Sequence, residues 1–346
     1  MSENPQIEQN QPSAQPMKIT MLADSTAGKT CYILGMYCGM WMQDHGFSIC
    51  SIDDNDDKEL NNNWARLLNE KAPDRFPAPT SQNKVYEFQF LSGHNPITEF
   101  EWIDYRGDVL QDNPNQQDVQ EFNQHLQAAS CLFLCLSGEH FKEPVTVTNK
   151  AKIMYETKAF YMNKYLSKVR RYNKGLFPVI ITLSKYDYCY KRKEALIEDI
   201  KSIFPGLFQP NSNWIVLICP VTLSFKLAED PDTTEITAYN CHYPLIFAQY
   251  CSLRKQMIES YNSMERLEEE LEELKSNLFK QLINLRKIKR IEKQLENLED
   301  EDKKRNENDK YMYIKKLAEY LNQAHQSNAD IYVNGERRLI NIDIPL

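Results

Sequence analysis

Short apolar runs alternate with amphipathic stretches over the first two thirds of the chain. The runs have the length of buried strands and lie at residues 18–22, 85–91, 98–103, 131–136, 179–183 and 214–219. A helical period marks three of the stretches between them, at residues 116–128, 149–173 and 191–203. Strands that alternate with helices predict a mainly parallel sheet covered by helices on both faces. The runs at 85–91 and 98–103 instead predict a hairpin-like pair, since only a short segment with Pro96 separates them.

The last third of the chain has the pattern of long helices. Leucine and isoleucine recur at separations of three and four from Leu267 to Leu298, with charged residues between them and neither Gly nor Pro. This spacing is typical of a coiled-coil seam, and one helix over residues 261–300 would extend roughly 60 Å. A second amphipathic helix is expected at Tyr311–Gln323.

These two helices predict an antiparallel hairpin within one chain, with a homodimer through the coiled coil as the alternative. The hairpin is favoured because Glu265–Glu273 contains six Glu and one Arg, so a parallel partner would face like charge there. Apolar runs at 331–333 and 339–344 flank Asn334-Gly335, a dipeptide that favours a tight turn between two strands. The chain therefore divides into a disordered leader at 1–16, a nucleotide-binding domain at 17–258, a coiled-coil hairpin at 259–325 and a β-hairpin at 326–346.

The composition is that of a globular cytoplasmic protein. Formal net charge is −8, which argues against broad nucleic-acid binding. The nine cysteines are scattered, with no paired spacing, and indicate reduced thiols. No signal peptide, lipidation motif or run of membrane-spanning length is visible, so we expect no membrane attachment.

A phosphate-binding motif follows the first apolar run. Residues 23–30 read ADSTAGKT, which fits GxxxxGK[ST] apart from Ala23. Such a loop holds phosphates with backbone amides at a helix N-terminus, while Lys29 reaches the terminal phosphate and the Thr30 hydroxyl binds Mg²⁺. The predicted nucleotide-binding residues of this loop are Asp24, Ser25, Thr26, Ala27, Gly28, Lys29, Thr30 and Cys31.

Two further motifs follow later strands. In DYRG, Asp104 lies at a strand end, where it can hold Mg²⁺. Gly107 can donate its backbone amide to the terminal phosphate. In SKYD, after the strand at 179–183, Ser184 precedes Lys185, whose aliphatic stem can lie over a base. Asp187 can accept from both the ring N–H and the amine of guanine, a pattern that adenine does not present.

The ordered set ADSTAGKT, DYRG and SKYD resembles the translation-factor-related, Ras-like GTPase superfamily, over roughly residues 17–258. The resemblance implies a three-layer P-loop NTPase sandwich that binds GTP or GDP with Mg²⁺. It implies that Thr80 completes the metal shell with Thr30 and Asp104, that Lys29, Thr80 and Gly107 act in catalysis, and that Pro220 and Val221 contact the base through the backbone. The Pro-containing approach to Thr80, followed by DYRG, also resembles bacterial double-GTPase-type proteins of conflict-system operons.

Departures from the family pattern predict slow hydrolysis. Thr26 stands where many relatives have Gly, and Asp108 stands where many have a water-orienting Gln, which an acidic residue cannot replace in stabilising negative charge. The main hypothesis is a GTP-dependent switch that signals to a protein effector or regulator through its switch loops and coiled coil. A pseudo-GTPase scaffold and a P-loop ATPase or kinase are the alternatives, and SKYD argues against the last. The long segment at about 44–80 is an enlarged switch-one region, either a partner site or plain surface elaboration.

Overall fold

The structure, a computed structural model, describes residues 16–78, 83–105, 116–275, 287–295 and 307–340. Its strands are β1 (Met17–Ala23), β2 (Phe47–Ser51), β3 (Lys84–Ser92), β4 (Asn95–Asp104), β5 (Cys131–Ser137), β6 (Phe177–Ser184), β7 (Trp214–Pro220), β8 (Asp330–Val333) and β9 (Glu336–Arg337). Its helices are α1 (Lys29–Met42), α2 (Asp54–Asn69), α3 (Gln116–Ala128), α4 (Lys150–Glu156), α5 (Ala159–Tyr172), α6 (Lys193–Ile203), α7 (Tyr243–Lys275) and α8 (Glu307–Gln323). A further helical segment lies at residues 287–295.

All nine strands join in one sheet, in the order β2-β3-β4-β1-β5-β6-β7-β8-β9. Each of the five central strands pairs in parallel with its central neighbours, in the order β4, β1, β5, β6 and β7. The flanking pairs are antiparallel at both edges. The predicted parallel sheet and the predicted antiparallel pair, β3 with β4, are both confirmed.

Helices cover both faces of this sheet. One apolar cluster joins the sheet to α1, α7 and α8, and a second joins it to α3, α5 and α6. Successive residues of a strand point to opposite faces, so β5 contributes Phe133 to the first cluster and Leu134 to the second. Every residue of β5 is buried, as expected of a strand covered on both sides.

The segment at 44–80, interpreted from the sequence as an enlarged loop, contains regular structure. β2 adds an antiparallel edge strand to β3. α2 begins after Asp53, whose carboxylate accepts from the amides of Asn55 and Asp56. Leu60 and Leu67 are its buried residues, on one helical face. Their helical spacing and the capping Asp53 were the available signals for this helix.

The prediction of one continuous helix over 261–300 is wrong. Lys275 Nζ lies 2.7 Å from Glu292 Oε1, and Lys287 Nζ lies 2.6 Å from Glu270 Oε1. If one helix continued through both segments, the partners of each pair would be roughly 25 Å apart. The helical segment at 287–295 therefore lies beside the end of α7.

The second predicted helix packs within the same chain, against the start of α7 and the sheet. The hydroxyl of Tyr320 on α8 is 2.9 Å from His242 Nε2, and its ring stacks on Tyr243 at a centroid distance of 5.1 Å. The buried side chains of Ile314, Leu317 and Leu321 belong to the sheet's own apolar cluster. The predicted boundary between 258 and 259 falls inside α7.

The C-terminal β-hairpin is present, but as part of the main sheet. Asn334 and Gly335 adopt positive φ angles of 51° and 82°, the conformation that this turn requires. β8 pairs with β7, which makes the hairpin an edge of the sheet. Its second strand is β9, which precedes the predicted run at 339–344. Residues 341–346, like most of the predicted leader, lie outside the described residues.

Candidate functional site

The phosphate-loop motif lies at a point where the chain changes direction across the sheet. β1 is flanked by β4 on one side and β5 on the other. The chain leaves β1 toward the β2–β4 side and later crosses over to β5. In open parallel sheets, the crevice beyond the carboxyl ends of the strands at such a point is where ligands bind.

Gly28 sets the geometry of the loop between β1 and α1. Its φ of 79° is in the left-handed region, which favours glycine. Helical hydrogen bonding in α1 starts with Tyr32 N donating to Gly28 O at 2.9 Å. The backbone amides before Tyr32 therefore precede the helical ladder, in the position where helix N-termini bind anions. Ser25 and Thr26 are exposed at the tip of the loop.

Lys29, the first residue of α1, is only 5% exposed. Its ammonium donates to the main-chain oxygen of Asp24 at 3.4 Å. Among the described residues, no acidic side chain forms an ion pair with it. A buried ammonium without an ionic partner is costly, and an anion bound in the loop would offset that cost.

The loop also contains an internal hydrogen bond that a ligand would meet. Asp24 Oδ2 accepts from the backbone amide of Thr26 at 3.3 Å and from its hydroxyl at 2.8 Å. One donor that the motif assigns to phosphate is thus engaged by the loop's own carboxylate. The side chain of Thr26, expected to reshape the terminal-phosphate site, is held by this contact.

The two predicted metal ligands of the described residues lie side by side. Thr30 Oγ1 is 3.5 Å from Asp104 Oδ2, and Asp104 is 1% exposed at the end of β4. Thr30 follows the loop that leaves β1, and β1 is the neighbour of β4, with Met21 in register with Asp104. No cluster of three or more metal-binding side chains occurs in the part of the chain that the structure describes. Mg²⁺ needs few protein ligands because substrate phosphates and water complete its shell, so this pair fits it.

Ser184 ties the end of β6 to the phosphate loop. Its hydroxyl lies 2.6 Å from Ala27 O and 3.0 Å from Leu136 O, with both carbonyls as acceptors. Cys135 Sγ approaches the same Ala27 oxygen at 3.5 Å. The ends of β5 and β6 thereby hold the loop in place.

Lys185 lies directly over the phosphate loop. Its Cε is 4.0 Å from the position that a Cβ on Gly28 would take. Its Nζ is 2.7 Å from Glu139 Oε2. Its charge also reaches Cys31, where burial raises the pKa of the thiol to about 11 and Lys185 partly opposes the rise.

Glu139 is a site residue that the sequence analysis missed. Burial acts to raise its pKa, but the hydrogen bond and charge of Lys185 and the hydroxyl of Ser137 outweigh it, so the pKa is lowered. Gly138 allows this approach, since a Cβ there would lie 2.5 Å from Lys185 O. The sequence offered one signal for Glu139: like Asp104, it is a carboxylate next to the end of a buried strand, where site residues are expected.

Asp187 is 6% exposed and is held by a residue of the neighbouring loop. Its Oδ1 accepts from the Thr222 hydroxyl at 2.8 Å. Burial raises the pKa of Asp187, and the bond from Thr222 acts against that rise. The predicted base-contacting loop is indeed adjacent, because Val221 N donates to Leu183 O at 2.8 Å. Thr222 itself was not predicted as a site residue, although it follows Pro220 and Val221.

Two predicted catalytic residues, Thr80 and Gly107, lie outside the described residues, as does Asp108. The other predicted residues converge on the carboxyl ends of β1, β4, β5, β6 and β7. This edge combines a loop suited to phosphate, an oxygen pair suited to Mg²⁺ and a buried carboxylate.

No helix among the described residues is long and apolar enough to cross a membrane. Comparison with models of protein families and with curated proteins gave no match.

Proposed function

We propose that this protein is a Mg²⁺-dependent guanine-nucleotide-binding switch with the three-layer P-loop GTPase fold. The observation that carries the proposal is the position of Lys185 over Gly28. This position brings the SKYD motif, proposed to recognise the base, next to the phosphate loop, although the two motifs are far apart in sequence. A chance GKT at a strand–helix turn would have no reason to meet SKYD.

Each part of a nucleotide has a group suited to it. Backbone amides of residues 25–31 and the ammonium of Lys29 would hold the phosphates, and Pro220 and Val221 would border the base. Thr30 and Asp104 would hold Mg²⁺, with Thr80 from the switch-one segment. The metal supplies positive charge that neutralises and orients the phosphate oxygens.

Guanine is favoured over adenine by Asp187. Its buried carboxylate, when ionised, accepts hydrogen bonds and donates none, which matches the two N–H groups on guanine's edge. An adenine ring would leave the carboxylate facing an acceptor, at a large cost in affinity. The hydroxyl of Thr222 fixes the carboxylate in one orientation.

Hydrolysis should be slow, and signalling should depend on which nucleotide is bound. Thr26 occupies the terminal-phosphate side of the loop, and Asp108 cannot stabilise developing negative charge. Segments around Thr80 and Gly107 that order on the terminal phosphate would present the bound state to a protein effector or regulator in the cytoplasm.

A pseudo-GTPase scaffold is the second candidate, and one contact favours it. The amide and hydroxyl of Thr26 are both engaged by Asp24 Oδ2, so bound phosphate must displace a carboxylate of its own sign. Such a loop would bind nucleotide weakly or without turnover, and the C-terminal helices would carry the function.

Calorimetric titration with GDP, GTP and ATP, with and without Mg²⁺, tests the proposal. We expect GTP and GDP to bind more tightly than ATP by roughly 100-fold or more. An affinity for ATP comparable to that for GTP would exclude specific recognition of guanine. The D187N variant sharpens the test, because its amide can donate to the 2-oxo group of xanthine. It should lose GTP affinity and gain affinity for xanthosine triphosphate.

Phosphate release over hours separates the two candidates. Mg²⁺-dependent release that K29M abolishes supports the switch. Stable nucleotide binding without release supports the scaffold. The K255M variant, at an exposed lysine of α7, is the matched control for charge removal.

A further inference from the structure

A cavity of about 430 Å³ opens between the end of α1, β2 and α2. It lies about 18 Å along α1 from Lys29, at the opposite end of the helix from the phosphate loop. Its wall includes β2 and α2, to which the nucleotide site assigns no role. Cavities of this size accept small molecules or single side chains.

Aromatic rings form much of the wall. Tyr37 and Trp41 come from α1, and Trp64 comes from α2. The chain has four Trp. Trp102 and Trp214 are buried in the core, whereas Trp41 is 52% exposed and Trp64 is partly buried. The two tryptophans that remain open to solvent therefore line the same cavity.

One carboxylate faces these rings. Asp57 lines the cavity and accepts a hydrogen bond from the Tyr37 hydroxyl. Burial and the neighbouring Asp57 raise the pKa of Tyr37, so the phenol stays neutral and donates. Lys84 pairs with Asp56 at 2.9 Å, and no lysine or arginine of the described residues forms an ion pair with Asp57.

Aromatic faces together with an acidic group select one class of ligand. Ring faces carry partial negative charge and attract cations that are weakly hydrated. A hard metal ion needs several oxygen ligands, and the cavity supplies few. A neutral apolar ligand would gain nothing from the carboxylate of Asp57.

We propose that this cavity binds an organic ammonium group, such as the quaternary or methylated amine of choline or of a methylated lysine side chain. The site is separate from the nucleotide site and does not depend on the proposed function. Asp57 supplies charge, and Tyr37, Trp41 and Trp64 supply ring faces.

Tryptophan fluorescence and calorimetry on the full chain test this site with matched probes. Choline is compared with 3,3-dimethylbutan-1-ol, a neutral molecule of the same shape. A trimethyllysine peptide is compared with the same peptide unmethylated. We expect choline to bind at least about 10-fold more tightly than the neutral isostere. Preference for choline or for the methylated peptide identifies the source of the ammonium group.

Two variants place the binding in this cavity. W41A removes a half-exposed ring and should weaken choline binding about 10-fold without unfolding the protein. D57N should weaken choline but not the neutral isostere. Y261A, at an exposed aromatic of α7, is the control and should bind as the parent does. Equal binding of choline and its isostere, or choline binding unchanged by both W41A and D57N, would overturn the proposal.

Discussion

The carboxyl edge of the parallel strands and helix α8 bury opposite kinds of residue. At the strand edge, Lys29, Asp104 and Asp187 are 5%, 1% and 6% exposed. On α8, the side chains with comparable burial are apolar, with Leu317 at 0% and Leu321 at 1%. Both regions are tightly packed, but burial of charge lowers stability whereas burial of leucine raises it.

Under the proposed function, this difference separates a binding region from a supporting one. The strands hold the buried charges at this edge in fixed positions, where the proposed function assigns them to nucleotide and Mg²⁺. The C-terminal helices cover one face of the sheet and stabilise it. Substitutions should therefore affect binding at the first region and stability at the second.

The largest expected effect is on nucleotide binding by K29M. If Lys29 contacts phosphate as proposed, loss of this buried cation should weaken GTP binding roughly 100-fold or more. The melting temperature without nucleotide should stay the same or rise, because a desolvated ammonium is removed. Calorimetry and thermal unfolding measure the two quantities, with K255M as control. Reduced stability with unchanged GTP affinity would contradict a binding role for Lys29.

L317A should have the largest effect on stability. Removal of a fully buried leucine from α8 should lower the free energy of unfolding by about 2–5 kcal/mol. Urea unfolding measures it, and GTP affinity of the folded protein should be retained. M312A, on the same helix at a side chain 49% exposed, is the matched control. Similar losses for both variants would mean that α8 does not stabilise the sheet through its buried face.

Acid should destabilise the contact of α8 with His45 and His242, both of which lie against Tyr320. Burial lowers the pKa of His45 to about 4 and that of His242 to about 3, below the ordinary 6.5. Above pH 6.5 neither state binds these protons. As the pH falls from 6.5 toward 3, the unfolded chain binds protons that the folded chain does not, so stability falls by at most about 1.4 kcal/mol per pH unit per histidine.

Urea unfolding at several pH values measures the slope of unfolding free energy against pH. H45F should reduce the slope between pH 6.5 and 4, whereas H94Q, at an exposed histidine, should leave it unchanged. A slope that is the same in the parent and in H45F would show that His45 does not stay neutral in the folded protein.

The smallest effect is expected for K287A, which breaks the pair with Glu270. The two side chains are 56% and 42% exposed, so solvent weakens their attraction. The loss in unfolding free energy should be below about 1 kcal/mol. K255A, which removes a longer exposed pair with Glu259, is the control. A loss above about 2 kcal/mol would mean that ion pairs, rather than the apolar seam, hold the helical segment at 287–295.

Sequence patterns predicted the central strands and most of the site. β1, β5, β6 and β7 are apolar runs of strand length, and Asp104 and Lys185 follow such runs directly. Glu139 and Thr222 were missed because their roles depend on contacts with Lys185 and Asp187 from other strands. A motif gives the identity of a residue, but only packing gives its partner.

The sequence by itself determined the alternation of strands and helices, the loop between β1 and α1 and the hairpin turn at Asn334-Gly335. These features depend on period, turn chemistry and neighbouring residues, all of which are local. Only the tertiary structure decided that the C-terminal hairpin joins β7, that the segment at 287–295 lies beside α7, and that Lys185 covers Gly28. Those arrangements bring together residues distant along the chain, and their energies come from surfaces that exist only once the sheet has formed.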